Sequence, residues 1–369
     1  MLSTLKSTLK VSLVSLILIF SLTEVSHAHP TPAYSHDGGR QTCQPCWMKY
    51  LRDDVLLSEL SIPGTHETMS FYGGDAVQCQ SMALNFQLQS GIRVLDIRCR
   101  HMRNRFKIYH GIVDQTVWFD AVLNMVVDFL TKHPSETVLM RVKEENDSTG
   151  SNRPFQETFR VEYWEKYINH MWLGKSKNPT LGEMRGKIVI LQDFDRENPQ
   201  FGILHNSFDI QDKFHLRTVA DLYDKWIWVK NHLAAANSGG RDTTYMNYLS
   251  GSGGAFPYFV VSGHSNRASG APRLWTGKWA SGNEDKYPNF PRENCGVRRC
   301  ISYEGTNILT FGALGTDYKN RVGIIMTDFP GWGLINRTID LNERFRKPNY
   351  RPECGENSRN CSTAPPKRR

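Results

Sequence analysis

The chain has 369 residues, 39% of them hydrophobic and 22% charged, with a formal net charge of +8 and a pI near 9.0. This length and mixture exclude a mini-protein, a collagen-like or wholly disordered chain and a polytopic membrane protein, and they suit one large α/β barrel with tails. The basic balance suits an anionic surface or equally a solvated basic face with no partner, and no basic–aromatic module points to nucleic acid.

Residues 1–28 predict a secretory signal peptide. Lys6 and Lys10 precede the apolar run Val11–Leu22, and Ser26-His27-Ala28 supply small residues at cleavage spacing. The run is short for a bilayer span, which weighs against an uncleaved anchor. The expected product is secreted, starts near His29 and carries 43 basic against 36 acidic residues, because two lysines and one glutamate are removed. Residues 29–50 form a polar leader whose first part, to 42, predicts a loose segment.

From residue 51 onward, short β-rich runs alternate with amphipathic or polar stretches. Strands are predicted at Leu60–Pro63, Arg93–Arg98, Lys107–Tyr109, Thr137–Val142, Lys187–Leu191, Phe208–Lys213, Tyr258–Ser262 and Val322–Thr327. Helices are predicted at Ala83–Ser90, Phe119–Lys132 and Pro154–Ile168, the second with an apolar stripe of Val122, Val126, Phe129 and Leu130. The Gly- and Ser-rich segment Ala236–Ser269 predicts a long loop around one strand. Unalternated apolar runs such as KIVIL and GIIM fit parallel strands covered on both faces. The expected fold class is therefore α/β: an irregular TIM-like (βα)8 barrel over 51–345, with disulfide-stapled extensions. Residues 346–369 form a Pro-rich, basic tail.

All eight cysteines lie beyond residue 28, and an even number in an exported chain predicts disulfides. Candidate pairs are Cys295–Cys300, Cys354–Cys361 and Cys79–Cys99. Cys43-x-x-Cys46 has no second half to complete a zinc site, so no metal ligands are assigned. Trp275, Trp279, Phe256 and Tyr258 are candidates for a membrane-facing rim, with ordinary packing as the competing reading.

In a TIM barrel the reactive side chains stand at the C-terminal ends of strands. Seven of the eight predicted strands carry an ionisable residue at or near that end: His66, Asp96 with Arg98, His110, Lys143, Asp193, Asp212 and Asp328. One such residue means little, and its recurrence at equivalent points suggests a site. Two histidines, an arginine and carboxylates in one mouth suit acid–base chemistry on a phosphodiester. The arginine offers a fixed fork of donors for phosphate oxygens.

The segments IPGTHETMS, GIRVLDIRCR, YHG, PSETVLMRVKEE, RGKIVIL and IQDKF occur in an order and spacing that resemble the X-type barrel of bacterial phosphatidylinositol-specific phospholipases C, over residues 51 to about 335. The resemblance implies a lyase-type reaction releasing diacylglycerol and inositol 1,2-cyclic phosphate from phosphatidylinositol, possible action on the glycosyl-linked form, and no cofactor. It implies His66 as general base, Asp328 as the carboxylate orienting it, His110 as general acid, and Arg98 as the phosphate-holding group where calcium-dependent relatives place a metal. Asp96 would support that set, and Lys143 and Asp212 would contact inositol hydroxyls. Three positions depart from the pattern. Glu67 replaces the usual aspartate beside the first histidine, Asp193 replaces an inositol-contacting arginine, and Phe214 replaces a stacking tyrosine. Glu67, Asp193 and Phe214 remain candidate site residues. A metal-dependent glycerophosphodiester or sphingomyelinase D-like phosphodiesterase and a catalytically silent lipid- or glycan-binding barrel are the competing functional readings.

Overall fold

In the computed structural model of the protein, residues 31–194, 200–218, 221–263, 292–293, 300–301 and 305–348 are described. The expected signal peptide, most of the tail, Trp275, Trp279, Cys295, Cys354 and Cys361 lie outside them. Among the described residues no helix is long and apolar enough to cross a membrane.

The strands are β1 (Ile62–Thr65), β2 (Val94–Met102), β3 (Arg105–His110), β4 (Val113–Trp118), β5 (Val138–Glu144), β6 (Ile188–Asp193), β7 (Ile203–Leu204), β8 (Asp209–Gln211), β9 (His215–Leu216), β10 (Tyr245–Tyr248), β11 (Ser252–Gly253), β12 (Arg292–Glu293), β13 (Cys300–Ile301) and β14 (Ile324–Thr327). The helices are α1 (Leu84–Ser90), α2 (Phe119–Lys132), α3 (Phe155–Thr158), α4 (Leu181–Met184), α5 (Leu222–Ser238), α6 (Pro257–Ser262), α7 (Thr306–Ala313) and α8 (Trp332–Asp340). A parallel sheet runs in the order β7-β6-β5-β2-β1-β14-β10-β8. Among the described residues no ladder joins β7 to β8, so the sheet is a curled, unclosed form of the expected barrel. β9 pairs with β11, and β12 with β13, in small separate ladders.

Alternation along each strand sorts the side chains into two cores. Outward-facing Ile97, Met140, Val142, Ile188 and Ile190 pack with Val122, Val126, Phe129 and Leu130 of α2, the predicted stripe. Inward-facing Ile62, Val94, Leu139, Val189, Met246 and Ile324 fill the floor of the sheet's concave side. Gly64 lies in this inner row because a Cβ there would come within 2.4 Å of Met326 Sδ and 2.9 Å of Val94 Cβ.

Four expectations need correction. Tyr258–Ser262 is not a strand but lies in the buried helix α6. Pro257 opens that helix and left-handed Gly263 (φ 70°) ends it. A short apolar run fits either state, and the sheet position belongs instead to β10, inside the segment expected as a loop. β3 is not a parallel barrel strand: it runs antiparallel to β2 in a hairpin that continues into β4. The leader is not loose, since Tyr34 bridges to Pro330, Ser35 N–H donates to Phe329 O at 3.0 Å, and Ala33, Tyr34 and Ser35 are buried. Finally, Cys79 and Cys99 are free buried thiols. Cys99 belongs to the outer core while Cys79 sits beside His110 at the mouth, so the two point to opposite sides of the sheet. Cys43 and Cys46 are disulfide-bonded.

Candidate active site

On three neighbouring strands the inner face becomes ionisable one or two steps above the apolar floor. On β2, Val94 gives way to Asp96 and Arg98; on β5, Leu139 to Arg141 and Lys143; on β6, Leu191 to Asp193. Register places Arg98 beside Lys143, and Lys143 beside Asp193. His66 follows β1 and Asp328 follows β14, and these neighbouring strands are paired Thr65 to Thr327. His110 arrives differently. β2 extends beyond the mouth, turns at Arg103-Asn104, and β3 carries His110 back down to it. Backbone strain concentrates here: Glu67 (φ 42°) and Phe329 (φ 44°) are non-glycine residues in the left-handed region, directly after His66 and Asp328.

His66 Nδ1 lies 2.8 Å from Asp328 Oδ1, and His66 Nε2 lies 3.0 Å from Arg98 Nη2. Because arginine only donates, Nε2 must present its lone pair, and Nδ1–H donates to Asp328. Arg98 Nη1 meets Glu67 Oε1 at 2.7 Å, and Arg98 Nη2 meets Asp96 Oδ2 at 3.2 Å. His110 Nε2 faces Glu67 Oε1 at 3.7 Å, just beyond hydrogen-bond reach. Its Nδ1 lies 3.0 Å from Ser70 Oγ, whose own hydroxyl donates to Val77 O, so Ser70 accepts from His110 Nδ1–H. Both imidazoles thus turn Nε2 toward one Arg98–Glu67 pair. Gln80 Nε2 clamps the backbone below by donating to His66 O and Thr327 O.

Burial, with Arg98 adding positive charge, holds His66 well below the ordinary histidine value, and the same two causes lower His110. Burial pushes Glu67 up to about 8, only partly offset by Arg98. Burial also acts on Asp96, but Arg141 and Arg98 override it and hold that carboxyl well below the usual range. Asp328 is raised well above it by burial and then by Glu67.

The predicted catalytic set is brought together, whereas the predicted substrate set is not. Lys143 sits on the same rung, 3.5 Å from Glu145. Asp193 is taken up by Arg141, which donates to its Oδ2 from Nε at 3.0 Å and Nη2 at 2.7 Å. Asp212 and Phe214 are exposed beyond the end of β8, where the Phe214 ring meets His215 edge-on. Of the proposed rim, Phe256 is exposed but Tyr258 is buried. Sequence reasoning missed Arg141, which also bonds Asp96 Oδ1 at 3.1 Å and Tyr248 Oη at 3.2 Å. Its signal was available: Leu139, Arg141 and Lys143 share the inner face by alternation. Ser70, Cys79, Gln80 and Tyr248 carried no comparable sign.

The family model for "Phosphatidylinositol-specific phospholipase C, X domain" matches residues 56–193. A 1-phosphatidylinositol phosphodiesterase of Staphylococcus aureus is 30% identical over 283 residues, covering 68% of this chain and 83% of the relative. The chain belongs to the phosphatidylinositol-specific phospholipase C family. A 1-phosphatidylinositol phosphodiesterase of Listeria monocytogenes is 38% identical over 162 residues, covering 42% of this chain and half of that relative. In three dimensions the chain is similar to a phosphatidylinositol-specific phospholipase C from S. aureus, with TM-score 0.59 and 25% identity over 81% of this chain and 97% of that one. The L. monocytogenes structure shares the fold, with TM-score 0.56 over 80% and 98%.

Proposed function

We propose that this phospholipase cleaves phosphatidylinositol to diacylglycerol and inositol 1,2-cyclic phosphate, with His66 as general base and His110 as general acid. The observation that carries this is the convergence of both Nε2 atoms on the Arg98–Glu67 pair, with Asp328 fixing the tautomer of one ring and Ser70 that of the other. The phosphate draws Arg98 away from His66 Nε2, which then accepts the proton of the inositol 2-hydroxyl. That oxygen attacks phosphorus, the bond from phosphorus to the diacylglycerol oxygen breaks, and the leaving alkoxide takes a proton from His110. Arg98 stabilises charge developing on the phosphoryl oxygens, held in place by Asp96, which Arg141 keeps ionised.

Curated relatives named for phosphatidylinositol and solved relatives studied for membrane binding support a lipid surface as the place of action. Ile112, two residues past His110, is 86% exposed and Tyr72 is 54% exposed, which gives the mouth an apolar edge. A glycosylated headgroup keeps the same reacting phosphodiester, so the glycosyl-linked lipid is a second candidate substrate. The charged–apolar–small pattern of residues 1–28 supports export. Phosphorus NMR on phosphatidylinositol vesicles with chelator present tests the reading. A cyclic phosphate product at full rate is expected, whereas turnover that stops with chelator and returns with added metal supports the metal-dependent alternative.

A further inference from the structure

Beside the His66–Asp328 pair lies a thiol, Cys79, that the proton transfers do not use. A ring nitrogen of His66, Cys79 Sγ and a carboxylate oxygen of Asp328 all lie within 4.8 Å of one another. Cys79 is a free thiol with no exposed surface. Asp328 is fully buried, one oxygen engaged by His66 and the other, Oδ2, meeting no N–H or O–H donor, with the Cys79 thiol as its neighbouring hydrogen-bond donor. The frame is rigid: Cys79 N–H donates to Ser70 O, Cys79 O accepts from Phe329 N–H, and Asp328 O accepts from Asn307 Nδ2. An imidazole, a thiol and a buried carboxylate held on three fixed turns match the donor types of a three-ligand zinc site with an open fourth position.

We propose that His66, Cys79 and Asp328 form an inhibitory site for a thiophilic divalent cation of the zinc class. Zinc–sulfur and zinc–nitrogen bonds of about 2.3 and 2.0 Å put donors on a tetrahedral ion roughly 3.3–3.8 Å apart, so modest closure around Cys79 seats the ion. Binding is balanced in charge and protons. The thiol proton leaves to solvent, and thiolate and carboxylate together neutralise the cation. The proton on His66 Nδ1 moves to Nε2 as the metal takes Nδ1. That last shift removes the lone pair the base needs, so the ion inhibits without touching substrate. Calcium and magnesium prefer six or more oxygen ligands and fit this set poorly. The loss of turnover rests on His66 acting as base; metal binding does not.

The test uses the chelator-stripped protein titrated with cobalt(II) and then zinc, alongside turnover of phosphatidylinositol vesicles. A cobalt–thiolate charge-transfer band in the near ultraviolet is expected. It should persist in Cys99→Ser and vanish in Cys79→Ser. Zinc should inhibit the unmodified protein, with at least tenfold weaker inhibition in Cys79→Ser and none from calcium or magnesium. Zinc added to the unmodified protein in weak buffer should release at least one proton per ion, a readout that survives if Cys79→Ser misfolds. A missing band with no proton release, or inhibition equally strong in Cys79→Ser, overturns the site. A band at Cys79 with undiminished turnover overturns the inhibition and, with it, His66 as base.

Discussion

At the scale of single residues, the two histidines differ in what each could lose. Replacing either by alanine should lower kcat by about 10² to 10⁴-fold, the range for general acid–base groups. A substrate with a much better leaving group than diacylglycerol should partly rescue His110→Ala and leave His66→Ala unrescued, since only the acid's task is eased. Equal rescue of both would reverse or dissolve the assignment. Glu67 sets the pH dependence. His66 is depressed, so the base stays available below its ordinary value and the acid limb of kcat/KM, which reports the free enzyme, should lie under pH 6.5. Glu67 is raised to about 8 and faces His110, so the pair should lose its shared proton near pH 8 and activity should fall above it. Glu67→Gln should shift that alkaline limb and leave the acid limb in place; an unmoved profile removes Glu67 from the titration. The sequence comparison singled out Asp193 as a lost headgroup contact, whereas in the fold it is the counter-ion of Arg141.

Among the elements, the β2–β3 hairpin decides whether His110 reaches the mouth. Its two turn residues, Arg103 and Asn104, both have positive φ (51° and 55°), as the tight turn matching strand twist requires. Asn104→Gly should therefore keep both stability and activity. Asn104→Val, β-branched at a left-handed position, should cost about 1–3 kcal/mol and lower kcat by up to ~10²-fold, because a displacement of an ångström at a catalytic group is expensive. Thermal melts and kcat on the two variants check this, and a Val variant with normal melting and activity would show that the turn does not set the position of His110. α2 was legible because its stripe meets one core along one face. α5 was not: its buried face includes Lys225 and its exposed face includes Trp228, which blurs the period.

For the molecule as a whole, a buried cation links fold stability to pH. Lys225 on α5 is fully buried and donates to Tyr248 O at 2.7 Å, and burial pushes its pKa down to about 7. The unfolded chain holds that proton to about pH 10.5, so between pH 7 and 10.5 it binds more protons than the fold does. The Lys225 contribution to stability therefore rises with pH across that window and is smallest below it. Denaturant unfolding of Lys225→Met should show its largest advantage over the unmodified protein at pH 6, shrinking by pH 9; a constant difference would place no proton release at Lys225. The sequence by itself determined the α/β class and most of the parallel strands, because unalternated apolar runs recur between turn-rich stretches, and it pointed to His66, Asp96, Arg98, His110 and Asp328 through ionisable residues at strand ends, with Glu67 coming from the family resemblance. Only the tertiary structure decided the rest. It turned β3 antiparallel, exchanged Tyr258–Ser262 for β10 in the sheet, pinned the leader to Pro330 and gave Asp193 to Arg141. It also separated Cys79 from Cys99. Each outcome depends on which side of the sheet a side chain finds free space or a counter-charge, and that is fixed by partners distant in the chain.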